Sequence, residues 1–123
     1  MEKVTGIGGL FFRSKDPEGL AVWYQTHLGV DLVPKDYDTR PWTQEAGPTA
    51  FCPFPENTEY FGDVRQRFMI NFRVRNLDAL VAQLRNAGVT VEVDPEAYSN
   101  GRFGRLHDPE GNPIELWEPK APA

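Results

Sequence analysis

Residues 101–118 read GRFGRLHDPEGNPIELWE, and the reading of this stretch decides the fold. Its centre, Asp108-Pro109-Glu110-Gly111, is a turn. Proline after aspartate sets φ for a β-turn and Gly111 supplies the left-handed position, so two alternating strands are forced into antiparallel contact. In the returning strand, Ile114 to Trp117, side chains alternate between faces. Ile114 and Leu116 read as core, and Glu115 shares the other face with Trp117. Glu115 is the residue to explain, because an acid set between two core residues faces either water or a pocket.

Upstream, Ile7 to Arg13 reads as a strand weakened by Gly8 and Gly9. The tetrapeptide of the late turn then recurs as Asp16-Pro17-Glu18-Gly19, here opening a helix: Asp16 caps it, Pro17 takes its first position and Glu18 suits its dipole. Leu20, Trp23, Tyr24, His27 and Leu28 follow at helical spacing until Gly29 stops the helix, and Val30 to Val33 is a short strand. Trp23 and Tyr24 read as core, and His27 as a last-turn residue favourable to the dipole. Short strands are expected near Trp42–Glu45 and Thr49–Phe54, and residues 56–66 read as a linker carrying Tyr60 and Phe61 as packed or lid-like aromatics. Arg67 to Val74 is a strand, Asn76 caps a helix bearing Leu77, Leu80, Val81 and Leu84, and Val89 to Val93 is a β-branched strand. Tyr98 to Gly101 is a loop leading into the hairpin.

The chain of 123 residues is expected to form a single domain, long enough to bury a core without covalent staples. With 40% hydrophobic and 12% aromatic residues it reads as a folded globule, and a net charge of -5 argues against a nucleic-acid surface. The lone Cys52 precludes an intrachain disulfide, and Met1 to Gly6 lacks the apolar core of a signal peptide. No apolar run approaches the roughly 18 residues of a membrane span. These features point to a cytoplasmic protein with neither membrane nor nucleic-acid partners.

The chain also repeats itself at a shift of about 60 residues. Leu10-Phe11-Phe12-Arg13 lies over Ile70-Asn71-Phe72-Arg73, Asp16 over Asn76, Leu20 over Leu80 and, after one gap, Gly29-Val30 over Gly88-Val89. Each half reads strand, helix, strand, strand, strand. Together with the helix ending in Leu28-Gly29 and the closing segment Asp108 to Glu118, this pattern resembles the vicinal oxygen chelate superfamily of glyoxalase I, extradiol dioxygenases, fosfomycin-resistance enzymes and bleomycin-resistance proteins. The resemblance implies an α+β fold: two βαβββ modules, residues 4–55 and 67–119, forming an incomplete eight-stranded barrel or cup with helices outside. It also implies a homodimer.

In metal-dependent members of that superfamily the resemblance implies ligands on the first and last strands of each module. Those positions fall on Gly9, on Met69, near Cys52 and on Glu115. Glycine has no donor, a thioether suits soft ions, and a catalytic divalent site wants about three protein ligands, so Glu115 alone is not a centre. His107 and Cys52 could complete a trio only if the fold gathers them. No cofactor is therefore expected, with a divalent ion at Glu115 as the alternative.

The same resemblance points Phe103, Arg105 and His107 into the cup beside Glu115 and Trp117. Phe11 and Arg13 face it from the first strand, and Met69, Asn71 and Arg73 from its counterpart. Such a lining is aromatic with a few placed polar groups, the usual makeup of a small-ligand pocket. Each residue has a plainer reading as well. Glu115 could form a structural ion pair with Arg105 or Arg73, His107 could be a rim residue, Trp42, Phe51 and Phe54 wall or core, Cys52 a small buried hydrophobe and Met69 core filling. Arg13 and Arg73 at strand ends could be solvated. The expectation is a metal-independent small-molecule-binding protein of glyoxalase or bleomycin-resistance type. The alternative is a metal-dependent lyase, isomerase or dioxygenase-type enzyme with Glu115 and His107 as candidate catalytic groups. An interaction scaffold with a filled cup is a third reading.

Overall fold

A computed structural model describes residues 1–121. Helix α1 spans Pro17–Leu28. The Asp16 carboxylate accepts from the Gly19 amide at 3.1 Å, and Gly29 closes the helix at φ 72 with its N–H on the Gln25 carbonyl at 3.1 Å. Both ends are as the sequence predicts, because caps depend only on neighbours along the chain. After strand β1 (Ile70–Arg73), Asn76 caps α2 (Leu77–Asn86) by accepting from the Ala79 amide at 3.0 Å. Strands β2 (Glu92–Val93), β3 (Gly101–His107) and β4 (Pro113–Pro119) complete the order strand, helix, three strands in the second half.

The four strands form one mixed sheet in the order β1-β4-β3-β2, with β1 parallel to β4 and the other pairs antiparallel. The 108–111 turn closes the β3–β4 hairpin, with Gly111 at φ 84 donating to the Asp108 carbonyl at 3.0 Å. Ile114 and Leu116 are fully buried with Leu106. They meet Leu77, Val81 and Leu84 of α2 together with Leu20 and Tyr24 of α1 in a single core. Both helices therefore cover one face of the sheet, and the face carrying Glu115 and Trp117 is turned away from them. The architecture is α+β.

Several expected elements differ. No strand forms over residues 7–13, 30–33, 42–45 or 49–54, and the strands expected over 67–74 and 89–93 contract to 70–73 and 92–93. The glycine pair at 8 and 9 weakens the first segment, and Pro53 removes a ladder donor from the last, which Pro48 and Pro55 bracket. The larger cause is that a strand needs a neighbour, and these segments find none among the described residues. Their apolar side chains lie open: Phe11 is 94% exposed, Phe51 84% and Val33 78%. Cys52 is exposed as well, not the buried hydrophobe the sequence suggests, since the segment around it packs under no core.

Candidate functional site

Strand register builds the open face row by row. Asn71 of β1 lies opposite Glu115 of β4, Glu115 opposite Arg105 of β3, and Arg105 opposite Glu92 of β2. The next row sets Arg73 beside Trp117 and Trp117 beside Phe103. Directly opposed residues share a face, so period-2 alternation alone gathers these side chains.

Glu115 is held from two sides. The Asn71 side-chain amide donates to its Oε1 at 2.7 Å, and the Tyr60 hydroxyl donates to its Oε2 in a short hydrogen bond. Tyr60 arrives from the 56–66 segment and lays its ring over the face. The Arg105 guanidinium carbon lies 4.9 Å from the ring centroid, within cation–π range. Phe54 stacks on the same ring at 5.8 Å and 18°, and meets Phe61 at 5.0 Å. Burial first, then the hydrogen bond to Glu115, pushes the Tyr60 hydroxyl up to about 12. Tyr60 is therefore a neutral donor throughout the physiological range.

The aromatic row is anchored too. Trp117 Nε1 donates to the Asn100 carbonyl at 2.8 Å, and Phe103 meets Tyr98 edge-on at 5.9 Å. The ion pair with Arg105 or Arg73 that is the plainer reading of Glu115 does not form. Arg105 is turned over the Tyr60 ring, and Arg73 donates to the Glu45 carbonyl at 3.1 Å.

Residues 9–117 match the family described as Glyoxalase-like domain. The chain belongs to that family. Among solved structures, this glyoxalase-like chain is similar to TnmS3, an antibiotic binding protein from Streptomyces sp. CB03234. The two share 23% identity over 98% of this chain and 100% of that one, with a TM-score of 0.65. It also matches a glyoxalase/bleomycin resistance protein from the same Streptomyces, at 31% identity over 43% of this chain and 46% of that one (TM-score 0.38). A glyoxalase family protein from Bacillus anthracis matches at 31% over 45% of this chain and 44% of that one (TM-score 0.40). No curated protein matches the chain.

Of the residues singled out in the sequence, Asn71, Arg105 and Glu115 form one row and Arg73, Phe103 and Trp117 the next. Met69 lies half-buried just before β1. His107 is exposed at the end of β3 opposite Pro113, and borders a cleft of about 400 Å³ that Trp23, Glu92 and Arg105 also line. Phe11 and Arg13 are exposed, and their neighbour Phe12 lies 5.7 Å from Phe68 of the second half. Among the described residues, no three His, Cys, Asp or Glu side chains come together, so Glu115, His107 and Cys52 are not gathered into a ligand set. At the four positions the resemblance implies for metal ligands, this glyoxalase-like chain has Gly9, Met69, the segment of the exposed Cys52, and Glu115, whose two oxygens accept from Tyr60 and Asn71. That donor set does not fit a divalent centre. What the sequence left unassigned is the hydroxyl of Tyr60. A linker without periodicity gives no hint of which sheet residue its aromatics will meet.

Proposed function

We propose that this glyoxalase-like chain is a metal-independent small-molecule-binding protein whose ligand lies on the open sheet face, against Glu115, Trp117, Phe103 and Arg105. The carrying observation is that Glu115 is held by Tyr60 and Asn71 beside an aromatic row, as a hydrogen-bonding group in a binding surface is held. The fold shared with TnmS3, which is described as an antibiotic binding protein, supports the same reading. Sequestration needs complementary shape and a few fixed polar groups, and no reacting centre.

The cup is completed by a second copy of the chain. The accessible surface is 10033 Å², whereas a compact chain of 13.9 kDa exposes about 6,700 Å². The excess is well beyond the roughly 800 Å² per partner of a standard interface and of the scale of obligate dimers. In this reading residues 4–55 form the first module against a partner, residues 56–66 link it to the second at 67–119, and Phe11 and Arg13 enter a shared cup. The exposed thiol of Cys52 accords with a reducing, cytoplasmic setting. No helix among the described residues is long and apolar enough to cross a membrane.

A thermal-shift screen of aromatic cations, aromatic acids, thiol conjugates and divalent metals tests the reading. An aromatic ligand is expected to raise the melting temperature of the wild type, and Glu115→Ala to lose that gain. Stoichiometric metal in the purified protein that disappears in Glu115→Ala would overturn it in favour of a metal-dependent enzyme.

A further inference from the structure

The side chain seated on Glu115 is itself a small hydroxylated aromatic. The Tyr60 ring packs with Phe54 and with the Arg105 guanidinium, and its hydroxyl donates to Glu115 Oε2 while Asn71 holds Oε1. We infer that this place is a hydroxyaryl seat, occupied by Tyr60 when free, and that the protein selects ligands carrying an aromatic hydroxyl able to take the place of Tyr60. The inference rests on the binding reading above and gives that site a ligand class.

Three features of the seat select such a group. A carboxylate with one oxygen fixed by an amide donor offers only acceptor capacity at the other, so the incoming group must donate. A carboxylate ligand would meet Glu115 as a like charge, whereas a neutral aromatic hydroxyl donates a charge-assisted hydrogen bond. The guanidinium, 4.9 Å from the ring centroid, and the phenyl ring stacked at 5.8 Å both favour a flat π-system and reward an aromatic ring over an aliphatic alcohol.

Tyr60 is also poised to leave. It remains 43% exposed, and it sits in a run of turns whose backbone bonds are local: Thr58 to Pro55, Gly62 to Glu59 and Gln66 to Asp63. No sheet ladder holds the segment, so swinging Tyr60 away breaks the contact to Glu115 and two aromatic contacts but no strand pairing.

The probe is p-cresol, which is the tyrosine side chain as a free molecule, with toluene as the control lacking the hydroxyl. In Tyr60→Ala the seat is vacant, and p-cresol is expected to raise the melting temperature more than toluene does and more than it does in the wild type. The preference for p-cresol is expected to vanish in Tyr60→Ala/Glu115→Ala. Equal effects of p-cresol and toluene in Tyr60→Ala overturn the inference, as do equal effects of p-cresol in Tyr60→Ala and wild type. Should Tyr60→Ala fail to fold, Tyr60→Phe keeps the ring and loses only the bond to Glu115. p-Cresol is then expected to bind Tyr60→Phe roughly tenfold tighter than wild type, and unchanged affinity overturns the inference. The two readings fail separately. A wild type that binds aromatics with and without a hydroxyl equally well removes the seat and keeps the binding function. A wild type that takes no ligand, beside a Tyr60→Ala that takes p-cresol, keeps the seat and removes the binding function.

Discussion

Two carboxylates of one hairpin illustrate what a single residue's surroundings decide. Asp108, 4% exposed, accepts from the Tyr24 hydroxyl at 2.7 Å, the Glu110 amide at 2.8 Å, and the backbone and side-chain nitrogens of Asn112 at 3.0 and 2.7 Å. A buried charge is tolerated there because every lone pair has a donor. Burial and this acceptor push the Tyr24 hydroxyl far above its ordinary range. Tyr24→Phe is therefore expected to cost about 1–2 kcal/mol, and Asp108→Ala, which strands several donors, about 3 kcal/mol or more, both measured by urea unfolding. Glu115, seven residues on, is half-buried and faces the open side. Strand alternation makes its orientation legible in the sequence. Its partner Tyr60, 55 residues away, is not legible, because nothing local fixes which of several linker aromatics comes to rest on the sheet.

At the scale of elements, the recurring Asp-Pro-Glu-Gly tetrapeptides meet. Glu110 of the second accepts from the Ser14 hydroxyl at 2.7 Å and from the amides of Lys15 and Asp16, at 2.8 and 3.2 Å, at the start of the first. The hairpin turn thus receives helix α1 at two points, the N-cap and the two residues before it through Glu110, and Tyr24 through Asp108. The Lys15 amide first, then the Ser14 hydroxyl, hold the Glu110 carboxyl below its usual range. A depressed folded value means that its contribution is complete above the ordinary glutamate value, about 4.3, and is lost as pH falls through the folded value. Glu110→Gln is expected to flatten the acid limb of a stability–pH profile below that value, while the wild type declines. Each tetrapeptide is legible alone, as helix start and as turn, because each reading uses only adjacent residues. Their contact is not, since it joins residues 94 to 96 positions apart.

Over the whole molecule, the second half follows the sequence closely and the first half only through its helix. The second half is legible because β1, α2 and the hairpin carry their own caps, turn and alternation, whereas the expected repeat of strands in the first half does not form among the described residues. The strands expected before residue 56 fail to form for want of an edge to pair with, which no pattern within them can supply. In the proposed dimer that edge comes from another chain, so folding and association are linked. The melting temperature is then expected to rise with protein concentration, and light scattering to give twice the chain mass. A concentration-independent melt with a monomer mass sinks the dimer.

The clasp between Tyr24 and Asp108 also sets an order in time. The helix that bears Tyr24 is made early, yet its acceptor follows 84 residues later. At roughly 5–20 residues per second of synthesis, Tyr24 waits about 4–17 s for its partner. Through that interval Leu20 and Tyr24, which the hairpin covers in the folded core, have no sheet to cover them. Only when the last hairpin emerges does the helix acquire a place to dock.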